Sequence, residues 1–122
     1  MSFQIPPVGR EERSFLAKNL AASQVTFDSL DVKDFPAAEY LIVATNGNDT
    51  HSVRVLLTSN GSDVWVSSSG KVITSADLFT LDYRESSSVI DMLLTPVNAN
   101  TTVTARRRTP IGHDPFVTFG AL

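Results

Sequence analysis

The chain has 122 residues and a formal net charge of −3, with 42% hydrophobic residues, 19% charged residues and no cysteine. This composition is typical of one globular domain and argues against disorder of the whole chain, while the lack of cysteine excludes disulfide bonds and thiolate metal ligands. The first residues show no basic stretch followed by an apolar run, and no apolar run approaches the roughly 20 residues that span a bilayer. We therefore expect neither a signal peptide nor a membrane partner.

Basic residues are concentrated in the two terminal segments, whereas the middle of the chain is acidic. Residues 1–23 are predicted to form an N-terminal arm, in which Pro6-Pro7 and Gly9 favour an extended start. The stretch 10–22 is rich in helix-favouring residues and predicts a short helix of about three turns. Its apolar side chains fall along one side of that helix: Phe15, Leu16 and Leu20. Such a helix is marginal unless it docks on another surface.

From Val25 to Arg108 the apolar pattern has a period of two, and turn residues interrupt it every eight to twelve residues. This spacing predicts an all-β fold, a single β-sandwich of about eight antiparallel strands over residues 24–108. Jelly-roll and immunoglobulin-like strand orders both remain open. Turns are expected at 46–49 and at Asn60-Gly61. The predicted strands are 25–32, 38–45, 51–58, 64–66, 72–73, 78–83, 89–95 and 101–107.

Residues 109–122 are predicted to form an extended C-terminal arm, interrupted by Gly112, Pro115 and Gly120. The arm carries large apolar residues outside the β pattern: Ile111, Phe116, Val117, Phe119 and Leu122. Large apolar side chains left in water promote aggregation, so they need a surface on which to pack. We expect both arms to dock on neighbouring subunits, with packing onto their own sandwich as the alternative.

Candidate chemical groups are sparse and scattered. The two histidines, His51 and His113, are far apart in sequence, so a zinc site is not expected and both are interpreted as surface or interface residues. Asp28, Asp31 and Asp34 are interpreted as a solvated strand edge rather than a metal cluster. No nucleophile elbow and no phosphate-binding glycine loop is present. We therefore predict no enzyme activity, no cofactor and no metal.

Two features point to protein contacts. Three consecutive arginines, Arg106, Arg107 and Arg108, end the last predicted strand, so the first and third share a face and the second points the opposite way. Because the chain is acidic and has no second basic strip, salt bridges to an acidic neighbour are favoured over nucleic acid. Trp65 points away from Val64 and Val66, which places it at an interface or in a doubly covered core.

The stretch from about Gln24 to Arg108 resembles a short β module that recurs in structural proteins of tailed bacteriophages, singly or within longer fibre and virion proteins. The segments that carry the resemblance are 37–43, 51–58, 60–62, 78–80 and 93–99. The segment 64–70 departs from the pattern because it is more polar and lacks a Tyr-Gly pair, and both arms fall outside it. The resemblance implies a virion building block, without saying which part of the virion it belongs to.

The functional hypothesis is a non-enzymatic virion protein that decorates or cements the phage capsid and binds neighbouring capsid subunits through its arms. The alternatives are a tail, neck, baseplate or fibre-attachment protein, and a carbohydrate-binding module for host attachment that uses Trp65, Tyr40 or Tyr83. The expected partners are other virion proteins, including the major capsid protein or tail components, and further copies of this chain. The predicted partner-binding residues are Phe3, Ile5, Phe15, Trp65, Arg106, Arg107, Arg108, Phe116, Phe119 and Leu122.

Overall fold

The structure, a computed structural model, describes residues 10–33, 37–60 and 62–110. These residues form eight β-strands, and every paired strand runs antiparallel to its neighbour. The all-β fold expected from the sequence is therefore confirmed. The strands are β1 (Arg10–Leu20), β2 (Val25–Asp31), β3 (Ala37–Asn46), β4 (Asp49–Ser59), β5 (Val64–Ile73), β6 (Phe79–Ser86), β7 (Val89–Pro96) and β8 (Thr101–Pro110).

The strands are divided between two sheets. One has five strands in the order β1-β8-β3-β4-β5, and the other has three in the order β2-β7-β6. Hairpins join β3 to β4, β4 to β5 and β6 to β7, because these consecutive strands are also neighbours. The remaining connections pass between the sheets, so residues far apart in sequence become neighbours across the core.

The hydrophobic core lies between the two sheets and follows the period-two pattern of the strands. In β4, Val53, Val55 and Leu57 are buried, while Arg54 and Leu56 are exposed, as the alternation predicts. The three-stranded sheet contributes large apolar side chains from the opposite side. The buried residues it supplies to the core include Leu30, Phe79, Ile90, Met92 and Leu94.

The helix predicted over residues 10–22 is wrong, because residues 10–20 form an edge strand. β1 pairs with β8 from Arg10 opposite Pro110 to Ala17 opposite Val103. Phe15 is half-buried against the core, while the side chain of Leu16 is 62% exposed. Pairing with the edge of β8 and burial of one face outweigh the modest helix propensity of the segment. Within the described part of the chain the sheet starts at Arg10; residues 1–9 lie outside it.

The hairpin between β3 and β4 sets the register of the sheet on which the candidate site lies. Asn46 is opposite Asp49, and Gly47 at the start of the two-residue loop has a φ of 62°. A positive φ at this position suits a tight hairpin turn, and glycine adopts it without the penalty that a Cβ imposes. The register that follows places Leu41 opposite Arg54 and Glu39 opposite Leu56.

Candidate functional site

The most distinctive surface is the outer side of the five-stranded sheet. Leu41 on β3 lies between Arg54 on β4 and Arg106 on β8, because it is the register partner of both. Glu39 on β3 is likewise opposite Arg108. These five side chains line a depression of about 140 Å³, which we call the cationic face: Glu39, Leu41, Arg54, Arg106 and Arg108. Three guanidinium groups and one carboxylate thus surround a leucine on a chain of net negative charge.

The alternation predicted for the three consecutive arginines is confirmed. Arg106 and Arg108 are exposed on the outer side of the sheet, whereas Arg107 is only 1% exposed and points into the core. Arg107 was predicted to bind a partner, but the structure places its guanidinium inside the chain. Its Nη1 donates to Oδ2 of Asp28, a distance of 2.8 Å.

Asp28 is therefore not part of a solvated strand edge, and that interpretation is wrong. It lies on β2 in the three-stranded sheet, is buried, and accepts a second hydrogen bond of 2.7 Å from the hydroxyl of Tyr40 on β3. Burial, followed by the neighbouring Asp28 carboxylate, raises the pKa of Tyr40 above its ordinary value. Of the other two aspartates, Asp31 accepts from the backbone of Lys33, and Asp34 lies outside the described residues.

A diagonal row of large apolar side chains crosses the cationic face. Trp65 on β5 is opposite Thr58, which is two residues from Leu56 on β4, so Trp65 and Leu56 are diagonal neighbours. In the same way, Leu56 is opposite Glu39, which is two residues from Leu41 on β3. Diagonal neighbours on one face of a sheet lie about 7–8 Å apart, within reach of large side chains. The exposed fractions are 56% for Trp65, 54% for Leu56 and 41% for Leu41. The sequence left Trp65 either at an interface or in a doubly covered core, and this exposure excludes the core.

Trp, Leu and Arg side chains together on the outer side of a sheet suit contact with another protein. Tryptophan and arginine are over-represented among the residues that dominate binding energies at protein interfaces. Sugar binding through a row of aromatics receives no support from the described residues. Tyr40 is buried, and Tyr83 lies on β6 in the other sheet from Trp65.

Phe15, the remaining described residue predicted to bind a partner, lies at the opposite edge of the same sheet. The guanidinium carbon of Arg13 is 5.5 Å from the centre of its ring. The ring lines an apolar cleft of about 300 Å³ between β1 and β2, together with Leu20, Val25 and other residues. The predicted anchors Phe3, Ile5, Phe116, Phe119 and Leu122 lie outside the described residues.

His51 is a core residue, so its interpretation as a surface or interface histidine is wrong. Its Nδ1 accepts a hydrogen bond from the backbone N–H of Leu78 at 3.0 Å, and its ring stacks on Phe79 with 4.0 Å between ring centres. Burial lowers the pKa of His51 below its ordinary value, because the charged imidazolium loses its hydration. His113 lies outside the described residues.

The described ranges contain no group of three or more His, Cys, Asp or Glu side chains placed to hold a metal ion. None of the described residues belongs to a helix of the length and apolarity that crossing a membrane requires.

Sequence reasoning missed three of the five residues of the cationic face, Glu39, Leu41 and Arg54, and also missed the neighbouring Leu56. The signal for Arg54 and Leu41 was present, because the turn at 46–49 sets the register of β3 against β4 and makes them partners. The pairing of β3 with β8 has no such local signal, since the residues that meet are more than 50 positions apart in the chain.

Comparison with known proteins gives a likeness at the level of fold. The sequence matches no protein-family profile and no curated protein. Among solved structures, the tailspike protein of Acinetobacter phage vB_ApiP_P1 has a TM-score of 0.50 and 15% identity, over 90% of this chain and 23% of that chain. The tailspike protein of Acinetobacter baumannii bacteriophage Fri1, described as a capsular polysaccharide depolymerase, has a TM-score of 0.49 and 17% identity, over 84% of this chain and 17% of that chain. This chain therefore spans about a fifth of the length of the tailspike chains it matches.

Proposed function

We propose that this chain is a structural module of a phage virion, of the type that belongs to a tail or fibre, and that it attaches to other proteins of the particle. The observation that carries the proposal is the likeness of fold to the phage vB_ApiP_P1 tailspike, which extends over 90% of this chain. The resemblance of residues 24–108 to phage structural modules points to the same class of protein. Fold and sequence pattern thus support one proposal from different directions.

The cationic face supplies the surface through which such a module makes contact. Its Leu41, together with the neighbouring exposed Leu56, lies beside the guanidinium groups of Arg54 and Arg106 on the central strands of a sheet. Apolar area gives a contact its affinity, and charge gives it orientation and selectivity. A rigid sheet presents both without the entropy cost of ordering a loop on binding.

The proposed role is non-enzymatic. Catalysis needs convergent acids, bases, nucleophiles or metals in a concave site. The buried polar groups described above, Asp28, Tyr40 and Arg107, are used in hydrogen bonds that join the two sheets. The depolymerase activity stated for the Fri1 tailspike belongs to a chain of which only 17% is matched, so it does not enter the proposal.

Immunogold electron microscopy tests the location. Antibodies against the purified chain are applied to intact phage particles, with pre-immune serum as the control. Label on the tail or its fibres is the expected result. Label distributed over the head would replace this proposal with the capsid-decoration role expected from the sequence. Absence of the chain from purified virions, measured by mass spectrometry, would overturn both.

A further inference from the structure

The two sheets present outer faces of opposite charge. The cationic face on the five-stranded sheet carries Arg54, Arg106 and Arg108 against one carboxylate, Glu39. The outward side chains of the three-stranded sheet include three aspartates and one arginine, which we call the acidic face: Asp31, Asp82, Arg84 and Asp91. The two faces lie on opposite sides of the core, so they cannot meet within one chain.

The carboxylates of the acidic face differ in what they already bind. Asp91 accepts a hydrogen bond of 2.6 Å from the hydroxyl of Ser29 and one of 3.1 Å from Nη2 of Arg84. These contacts lower the pKa of Asp91. Asp82 instead accepts from the backbone N–H of Tyr83 at 2.7 Å, and Asp31 from that of Lys33 at 2.9 Å. A carboxylate has about four acceptor positions, so one backbone hydrogen bond leaves Asp82 and Asp31 able to accept guanidinium N–H groups.

We infer that a second copy of this chain is the occupant of the cationic face, with its acidic face seated there. The arginines of one copy then donate to Asp82 and Asp31 of the next, in the forked geometry that guanidinium and carboxylate groups favour. Thr26 on β2 and Thr80 on β6 are exposed beside the acidic face, and in this arrangement their methyl groups provide apolar surface for Leu56 and Trp65. Charge complementarity favours this contact over pairing of two identical cationic faces, which would bring arginine against arginine.

The contact uses different surfaces on its two sides. Each copy therefore retains one unused face, and repetition of the contact produces a ring or a stack. The narrower, three-stranded sheet limits the buried area, so a single contact is weak and is populated at high protein concentration. Such repetition suits a structural protein present in several copies, and in this sense the inference rests on the proposed function. The test of self-association uses the purified chain alone. The inference and the proposed location in the virion can therefore be contradicted independently of each other.

The test is sedimentation velocity of the full chain from micromolar to sub-millimolar concentration at low salt. We expect concentration-dependent association that weakens as salt is added, because the charges involved are at the surface. Arg106→Glu and Asp82→Arg are each expected to weaken association by about tenfold or more, since each places like charges in contact. Both residues are exposed, and circular dichroism is expected to show that both variants keep the fold.

The double variant, Arg106→Glu with Asp82→Arg, makes the test decisive. It exchanges the charges across the contact, so it is expected to recover most of the association that each single variant loses. The controls change the net charge equally at exposed positions outside both faces: Lys71→Glu near the end of β5, where it removes an exposed ion pair with Asp77, and Asp63→Arg in the turn before β5.

Three results would overturn the inference. The first is a chain that stays monomeric throughout the concentration range. The second is that Arg106→Glu weakens association whereas Asp82→Arg does not, because a surface other than the acidic face then occupies the cationic face. The third is a double variant that associates no better than the single variants. The inference is supported if the double variant recovers association and the control variants associate as the wild type does.

Discussion

Arg107 and Asp28 form an ion pair that joins the two sheets through the core. Arg107 is on β8 and Asp28 on β2, 79 residues apart in sequence, and 2.8 Å separates Nη1 from Oδ2. Both side chains are almost completely removed from water. A buried pair of this kind is costly to break, because the remaining partner is left as an uncompensated charge in the core. The pair therefore penalises any packing of the sheets that separates the two residues.

Removal of one partner tests this relationship. Asp28→Ala is expected to lower the free energy of unfolding by about 3–5 kcal/mol, since it leaves the Arg107 guanidinium buried without its carboxylate. Urea denaturation followed by circular dichroism measures the loss. The matched control is Asp31→Ala on the same strand, which we expect to change the free energy of unfolding by about 0.5 kcal/mol or less. Equal effects of the two substitutions would mean that the ion pair has no special role.

Tyr40 makes stability depend on alkaline pH. Its folded-state pKa is raised above the ordinary value of 10.0, so the folded chain holds this proton more tightly than the unfolded chain does. The stabilisation is fully present below pH 10 and is lost as the pH rises above it toward the folded-state pKa. We expect the free energy of unfolding of the wild type to fall above pH 10. Tyr40→Phe, which loses about 1–2 kcal/mol at neutral pH, is expected to show a weaker dependence in the same range.

His51 makes stability depend on acidic pH, with the opposite sign. Its folded-state pKa lies below the ordinary 6.5, so its contribution is present above pH 6.5 and is lost as the pH falls through the folded-state pKa. Protonation also removes the Nδ1 lone pair that accepts from Leu78. Free energies of unfolding measured between pH 7.5 and 4.5 are expected to decline more steeply for wild type than for His51→Gln. Equal slopes for the wild type and His51→Gln over this range would contradict the assignment.

Trp65 is the single tryptophan of the chain and lies on the same side of the sheet as the cationic face, so its fluorescence reports on contacts there. With 56% of the side chain exposed, its fluorescence in dilute solution is expected to be red-shifted and readily quenched by acrylamide. Association through this face is expected to shift the emission to the blue and to protect it from acrylamide. Trp65→Ala is expected to cost little stability, whereas Leu57→Ala, on the core side of the neighbouring strand β4, is expected to cost about 2–5 kcal/mol. A strongly destabilised Trp65→Ala variant would contradict its surface position.

Two tight turns each have a residue with positive φ, so replacing glycine at one and introducing glycine at the other are expected to change stability in opposite directions. Gly47 has a φ of 62°, and no atom lies within 4 Å of the point that an added Cβ would occupy, so Gly47→Ala is disfavoured by its backbone conformation alone. We expect a loss of about 1 kcal/mol. Ser87 occupies the equivalent position between Ser86 and Val89 with a φ of 55°. Ser87→Gly is expected to stabilise by up to about 1 kcal/mol, measured by thermal denaturation. A loss of stability in the second variant would contradict this account.

The local pattern of the chain was sufficient for most strands. Alternation placed Val53, Val55 and Leu57 inward and predicted that Arg106 and Arg108 share a face. It failed for residues 10–20, where helix-favouring side chains form a strand because β8 offers an edge to pair with. It also failed for Asp28 and His51, which were predicted to be surface residues. Their burial depends on hydrogen-bond partners, Arg107 for Asp28 and Leu78 for His51, that no local pattern identifies.

The amino-acid sequence by itself determined the all-β class, most strand positions and which side chains of each strand face inward, because these follow from period-two alternation and turn residues within a few positions of one another. Only the tertiary structure decided which strands are neighbours. That choice brought Arg106 of β8 beside Leu41 and Arg54, and brought Arg107 to Asp28. The reason is physical: contacts between distant segments form when burial and hydrogen bonding compensate the entropy of closing long loops, and that balance belongs to the whole fold.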